Sequence, residues 1–245
     1  MKSKLFLAVL LCYGLHAQGQ RPTKLVRVGL KAGINGSLFT RNVAPFDGGY
    51  VRQLPDYRRF FRPSGFGGFT ADFQVSSRFM IGTELLFNSR GMVYREKNDA
   101  VVIIDDEGYE QQAYNRYNYN IDYFELPLTL NYNLRASNTW LVIYGGIAPA
   151  MATNHKTKLY YEESIRSDGR RAQNVRERLD YVRKINNNAI AGIKVGDDTN
   201  DKVAAYADFR FSHTLRPVFT RSTDASGHNL HTQMFTFSAS VGFRF

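Results

Sequence analysis

The chain reads as all-β: an antiparallel, up-and-down transmembrane β-barrel of eight strands, preceded by a cleaved signal peptide. Three observations predict this. The segment Thr232 to Phe245 alternates an apolar set (Phe235, Phe237, Ala239, Val241, Phe243, Phe245) with a polar or small set (Thr236, Ser238, Ser240, Gly242, Arg244), Met234 alone falling out of phase. Strand side chains have period two, so the segment has one apolar and one polar face; in a transmembrane barrel these meet lipid and lumen. At the other end, Lys2 and Lys4 precede an apolar run, Leu5 to Leu11, and a small-x-small site at Ala17-Gln18-Gly19, the layout of a secretory leader. Between the two ends, short and long connections alternate along the chain, as periplasmic turns and extracellular loops do.

The leader is taken as residues 1–19, cut after Ala17 or Gly19, and the barrel domain as 20–245. Its apolar run is too short for a helical span, which needs ~20 residues. Cys12, the one cysteine, lies inside the leader, and bulky Leu11 before it argues against a lipidated residue. The mature chain then has neither thiol chemistry nor a disulfide. Aromatics make up 14% of the chain while the mean hydropathy is −0.37, the mixture a barrel gives because half of each strand and all loops are polar. The formal charge is +10. With a secretory leader, that charge suits an anionic lipid or lipopolysaccharide surface rather than nucleic acid.

The strands follow in order. Leu25 to Leu38 places Val26, Val28, Leu30, Ala32 and Ile34 outward; Gly65 to Val75 does the same with Phe69, Ala71, Phe73 and Val75. After a Ser76-Ser77-Arg78 turn, Phe79, Ile81, Leu85 and Phe87 oppose Glu84, Asn88 and Arg90. The fourth strand, Tyr123 to Tyr132, turns Phe124, Leu126, Leu128 and Leu130 outward. Ile121 and Tyr123 look out of phase with it, which predicts a bulge there, and Pro127 belongs at an irregularity because it has no N–H to donate. Trp140 to Met151 is a strand whose facing the pattern does not assign. Asn188 to Val195 is a weak sixth strand, Val203 to Ser212 a clear seventh, and the closing segment the eighth. The long connections are 39–64, 94–119, 153–187 and 213–231. Val101 to Ile104, and the residues flanking Ser167 to Arg170, extend hairpins beyond the membrane rather than adding spanning strands.

Four segments carry a resemblance. Val28 to Asn35, Tyr123-Phe124-Glu125-Leu126-Pro127-Leu128, Ala205 to Phe211 and the terminal Phe resemble, in that order, the strands of the PorT-like outer-membrane β-barrel family. The resemblance spans nearly the whole mature chain. It implies an eight-stranded barrel in a Gram-negative outer membrane; the alternation of short and long connections separately predicts that both termini are periplasmic. The family takes its name from a member linked to protein secretion and gliding, and most members have no assigned role. A terminal strand ending in Phe243 and Phe245 also resembles the signal read by the barrel insertion machinery.

The inward set is Arg27, Lys31, Asp72, Glu84, Glu125, Lys194, Asp208, Arg210 and Arg244. Side chains just fill an eight-stranded interior, and charges packed there must pair. These residues therefore form either a salt-bridge plug or the lining of a narrow solute path; a wide porin needs ~16 strands. No enzyme chemistry stands out. Ser212 and His213 are adjacent and point to opposite faces; His228 and His231 lack carboxylate or thiol partners; Asp105-Asp106-Glu107 lacks the alternating ligands of a calcium loop. Neither a cofactor nor a metal is expected. The loops offer more: Arg41, Arg52, Arg58, Arg59 and Arg62 interleave with Tyr57, Phe60 and Phe61, and 153–187 holds nine Lys/Arg against five Asp/Glu. Such a surface suits lipid headgroups or an envelope protein partner, or simply anchors the barrel at the interface. The expected function is a non-enzymatic barrel of structural or interaction type. The alternatives are a narrow porin-like channel and an accessory component of a type IX-like secretion machine.

Overall fold

Ten strands make up the wall: β1 (Val26–Phe39), β2 (Arg58–Gln74), β3 (Phe79–Ile104), β4 (Glu110–Glu125), β5 (Leu128–Ala136), β6 (Thr139–Tyr160), β7 (Val175–Arg178), β8 (Ile185–Asp197), β9 (Ala204–Thr214) and β10 (Met234–Arg244). The computed structural model describes residues 26–41, 43, 58–136, 139–160, 175–197, 203–223 and 230–245. The expected leader and its cleavage site, with Cys12, lie outside the described residues, as do the Ser167 to Arg170 turn and His228. Every pairing is antiparallel, and β10 returns to β1 through the register Gly29↔Arg244 to Phe39↔Met234, which closes the sheet. Closure removes the unpaired edges that hydrocarbon cannot satisfy.

Eight strands form the ring because β4 and β5 are one wall strand in two pieces. Both pair with β3 on one side and β6 on the other. The break falls at Leu126–Pro127: Pro127 cannot donate, and its carbonyl instead accepts from Glu84 N–H at 3.1 Å. The bulge expected at Tyr123 sits on the opposite strand. Asp122 pairs with Asn154 and Tyr123 with Ala152, so Thr153 of β6 is the extra residue. Ile121 and Tyr123 are in phase with Glu125, Thr129 and Asn131, all buried on the inner face. They looked misplaced because the interior at that height is apolar. Met234 is likewise inward and buried, in phase with Thr236 and Ser240.

β6 has a definite inner and outer face. Trp140, Val142, Tyr144, Ala148 and Ala150 point inward, while Ile143, Ile147 and Met151 are exposed to the lipid side. Glycines on neighbouring strands make room for the large inward rings. Gly192 lies opposite Tyr144 and Gly196 opposite Trp140 in register, and a β-carbon on either would run into the ring.

Connections at the end holding both chain ends of the ring are short, as between β2 and β3 and between β5 and β6. At the other end much of what the sequence suggested as loop is sheet. The 94–119 segment is a paired extension of β3 and β4 with its tip at 105–109, β2 starts at Arg58, and β6 runs to Tyr160 with β7 hydrogen-bonded alongside. Above the membrane a strand no longer needs an apolar outer face, so its pattern stops resembling a lipid-facing one while its ladder continues. β7 adds no member to the ring.

Candidate functional site

The lumen is filled in layers. At the short-connection end Met80, Trp140, Val142 and Tyr206 form a buried floor. The Arg244 guanidinium lies 4.2 Å from the Trp140 ring and 4.8 Å from the Tyr206 ring, and is held by Asp72 Oδ2 at 3.0 Å. Planar guanidinium suits such stacking better than a lysine would.

Above the floor the inward charges meet. Lys31 Nζ sits 2.7 Å from Asp208 Oδ2 and 2.9 Å from Glu84 Oε2. Arg210 Nη2 donates to both Glu84 oxygens at 2.8 Å, while its Nε donates to Tyr144 Oη at 2.9 Å. Tyr144 Oη–H in turn donates to Asp208 Oδ1 at 2.6 Å. Lys194 Nζ is 3.7 Å from Asp72 and 3.8 Å from Glu84, and 5.1 Å from the centre of the Tyr144 ring. All of these groups are buried. Burying an ion costs several kcal/mol, so the arrangement holds only because each cation has at least one carboxylate in reach.

A second pair stands one layer up. Arg90 Nη2 reaches Glu125 Oε1 at 2.7 Å and Oε2 at 2.8 Å; Asn88 donates to the same carboxylate at 3.2 Å and Asn188 at 3.4 Å. Of the inward set, Lys31, Asp72, Glu84, Glu125, Lys194, Asp208, Arg210 and Arg244 all reach the interior, and Arg27 is half-buried near the chain end opposite Asp72 in register. The sequence pattern put Arg90 on the inner face with Glu84 and Asn88 but left it out of the charged set, and it missed Tyr144, which lay in the strand whose facing was open.

The top layer is apolar. Phe39, Tyr94 and Tyr119 stack edge to face at 5.7 Å, and Phe219 joins Phe39 at 5.9 Å. Connecting segments fold into this layer: Leu179, Val218 and Leu230 are all buried in it, and Val43 N–H donates to Tyr94 Oη at 2.8 Å. The lumen thus carries an apolar cap over a charged middle and an aromatic floor.

The expected loop surface is divided by the structure. Arg59 donates to the carbonyls of Phe39 and Thr40 at 3.3 and 3.1 Å, and Arg62 to Ser89 Oγ at 3.3 Å. Phe60 lies under the Arg95 guanidinium at 4.6 Å, and Phe61 packs on Phe237 at 6.2 Å. Arg41 and Arg58 are exposed, whereas Arg52 and Tyr57 lie outside the described residues. Phe243 and Phe245 are exposed on the outer face, and Phe245 N–H bonds Val28 O at 2.8 Å.

The remaining candidates give little chemistry. Ser212 is buried inward and His213 takes the other face. Among the described residues no group of three or more metal-ligating side chains comes together. Asp105 shapes the β3–β4 tip: its carboxylate accepts from Tyr109 N–H at 2.8 Å, Glu107 N–H at 3.1 Å and Gln111 at 3.0 Å. Those bonds, the Tyr109 amide foremost, hold its pKa below the usual aspartate value. On the lipid-facing wall, Gly36, Ala191 and Ala239 leave an open depression of about 1060 Å³ between Ile34, Phe209, Phe211 and Phe237, an apolar surface that belongs against acyl chains.

No curated protein sequence matches the chain. Solved structures similar to it include neisserial surface protein A (8% identity, covering 92% of this chain and 100% of that one, TM-score 0.43). The outer membrane protein OprG from Pseudomonas aeruginosa is similar at 8% identity, over 89% of this chain and 95% of that one, TM-score 0.43. The outer membrane protease OmpT from Escherichia coli is similar at 9% identity, over 93% of this chain and 99% of that one, TM-score 0.45. A family model described as "Outer membrane protein beta-barrel domain" matches residues 16–220; with most of its length inside that match, this chain belongs to the outer membrane protein β-barrel domain family.

Proposed function

We propose that this outer-membrane barrel is a non-enzymatic, non-conducting platform that carries its extended hairpins at the cell surface. The observation that supports this most is the filling of the lumen at every height, from the Trp140 floor through the Glu84 cluster to the Phe219 cap. An ion crossing it would have to break several buried ion pairs and then pass an apolar layer, each costing several kcal/mol. Recording from planar bilayers tests the reading: the purified barrel is expected to give no current steps above background, and reproducible steps would return the narrow-channel alternative.

In this reading both termini are periplasmic and the β3–β4 tip is outside, as short-turn and long-loop ends are disposed in such barrels. A cysteine placed at Glu107 should react with a membrane-impermeant maleimide on intact cells. A second reading, an accessory role in secretion, draws on the resemblance of Val28 to Asn35 and Tyr123 to Leu128 to PorT-like barrels. It requires an envelope protein partner, and purification from native membranes without a stable co-purifying protein would end it.

A further inference from the structure

The outer face of the extended sheet sets cations directly opposite one another. Arg58 of β2 faces Arg95 of β3, Arg95 faces Arg116 of β4, and Lys156 and Lys158 of β6 face Arg178 and Arg176 of β7. The β4–β6 ladder joins the two halves, Asn118 opposite Lys158 and Asn120 opposite Lys156. Partners across a ladder share a face. That face is outward, because the intervening positions Met92, Tyr94, Tyr119 and Ile121 are buried in the cap. Five neighbouring strands at ~4.8 Å spacing make a surface ~20 Å wide.

Like charges directly opposite destabilise a sheet, and a surface built for solubility would intersperse both signs. Here the described ion pairs are all between interior groups, and none involves these seven cations. Arg95 is fixed over Phe60 with its Nε lacking an acceptor. Among the described residues this face therefore carries a concentrated positive field without an ion pair of its own, its acid on β4 being Asp122 at the lower edge, which accepts from Asn154 at 2.9 Å.

The height of the cations selects the anion. On β4 the last outward apolar residue is Phe124; Asn120, level with Lys156, is four residues on, and Arg116 eight. At ~3.4 Å per residue and a tilt of ~40°, the cations rise from ~10 to ~20 Å above the level of Phe124. A phospholipid headgroup layer is only ~5–8 Å thick and reaches no further than the lowest tier. Phosphates carried on sugars reach all of them, and guanidinium forks bind phosphate oxygens two at a time. We propose that this face binds the phosphorylated sugars of an outer-leaflet glycolipid. The inference rests on the surface orientation proposed above, but its test does not.

The full chain, refolded in zwitterionic micelles, is titrated with rough-type lipopolysaccharide, with the same glycolipid stripped of its phosphates, and with phosphatidylglycerol. The phosphorylated glycolipid is expected to bind at least tenfold more tightly than either of the others. The triple variant Arg95→Gln, Arg116→Gln, Lys158→Gln should lose at least tenfold, and Lys156→Gln with Lys158→Gln a smaller factor. Arg78→Gln, in the β2–β3 turn at the opposite end of the barrel, should lose nothing. Unchanged binding by the triple variant overturns the proposal, as does phosphatidylglycerol binding equally well. If surface labelling of position 107 fails while micelle binding stands, the orientation is wrong and the site is right.

Discussion

Lys31, Lys194 and Arg210 inside the barrel and Arg95, Arg116 and Lys158 outside it are cations held in rows by the same ladders, yet their surroundings differ in one respect. Inside, each cation has a carboxylate within 4 Å, and Glu84 alone serves three of them. Outside, the cations face other cations across the strands. A low-dielectric interior does not tolerate an unpaired charge, so pairing there is a condition of folding. A solvated surface tolerates it at small cost, so an unpaired row can be kept for a ligand. Charge balance, rather than charge content, separates the interior cations of this wall from the outer ones.

The largest effect is expected from unbalancing the interior. Glu84→Gln keeps the shape of the side chain and leaves Lys31, Lys194 and Arg210 with too little negative charge. Removing one partner of a buried pair costs about 3–5 kcal/mol. Trp140 is the one tryptophan of the chain and sits in the floor beside Arg244, so its fluorescence reports urea unfolding in vesicles. A loss under ~1 kcal/mol, the size of a surface pair, would show that water screens the cluster. Adding Lys31→Met to Glu84→Gln should recover part of the loss, because it restores the balance.

The cap comes next. Phe219→Ala removes a buried ring that packs on Phe39, and such truncations cost about 3 kcal/mol or more where the site cannot collapse. Because Phe219 reaches the lumen from a connecting segment, the strands should stay paired, and the variant should melt earlier without losing its strand signal in circular dichroism. Unchanged stability would mean that the cap is ornamental to the fold.

How far the sequence revealed this arrangement depends on the layer. In β1, β9 and β10 most inward residues are polar or small, Phe39, Tyr206 and Met234 apart, so alternation was plain and Lys31, Asp208, Arg210 and Arg244 could be named as inward. In β6 it failed because Trp140, Val142 and Tyr144 are as apolar as the outward Ile143 and Ile147; a period-two signal needs contrast between faces. Ile121 and Tyr123 misled for the same reason, since the cap above the charged layer is greasy. The outer cationic row was invisible for a different one. Its members lie between Arg58 and Arg178, and only register, which a strand's own residues do not encode, sets Arg95 beside Arg58 and Arg116.

That row supplies a smaller, opposite effect. Arg95→Gln with Arg116→Gln removes two like-charge contacts and should stabilise the barrel in lipid-free micelles by about 0.5–1 kcal/mol, the scale of a cross-strand pair. The gain should shrink as salt is raised, because exposed charges are screened. A destabilised variant would mean that these arginines act through packing on Phe60 rather than through charge.

The smallest effect belongs to Asp105, whose hydrogen bonds shape the β3–β4 tip. Its folded pKa is lowered by the Tyr109, Glu107 and Gly108 amides and the Gln111 side chain. The sign follows from linkage: a carboxylate held below its unfolded value of about 3.9 stabilises the turn above that pH, and the contribution is lost as pH falls through the lower, folded value. The group is fully exposed, so the effect is local to the tip and should leave urea unfolding of the barrel untouched. The amide resonance of Tyr109, which donates to Asp105 at 2.8 Å, should titrate with a midpoint below that of a free aspartate and become flat in Asp105→Asn. A midpoint at or above the ordinary value would mean that the tip opens before the carboxyl is protonated. The outer sheet would then end in a loose turn, and the cations of β3 and β4 would be less firmly placed than the paired ones inside.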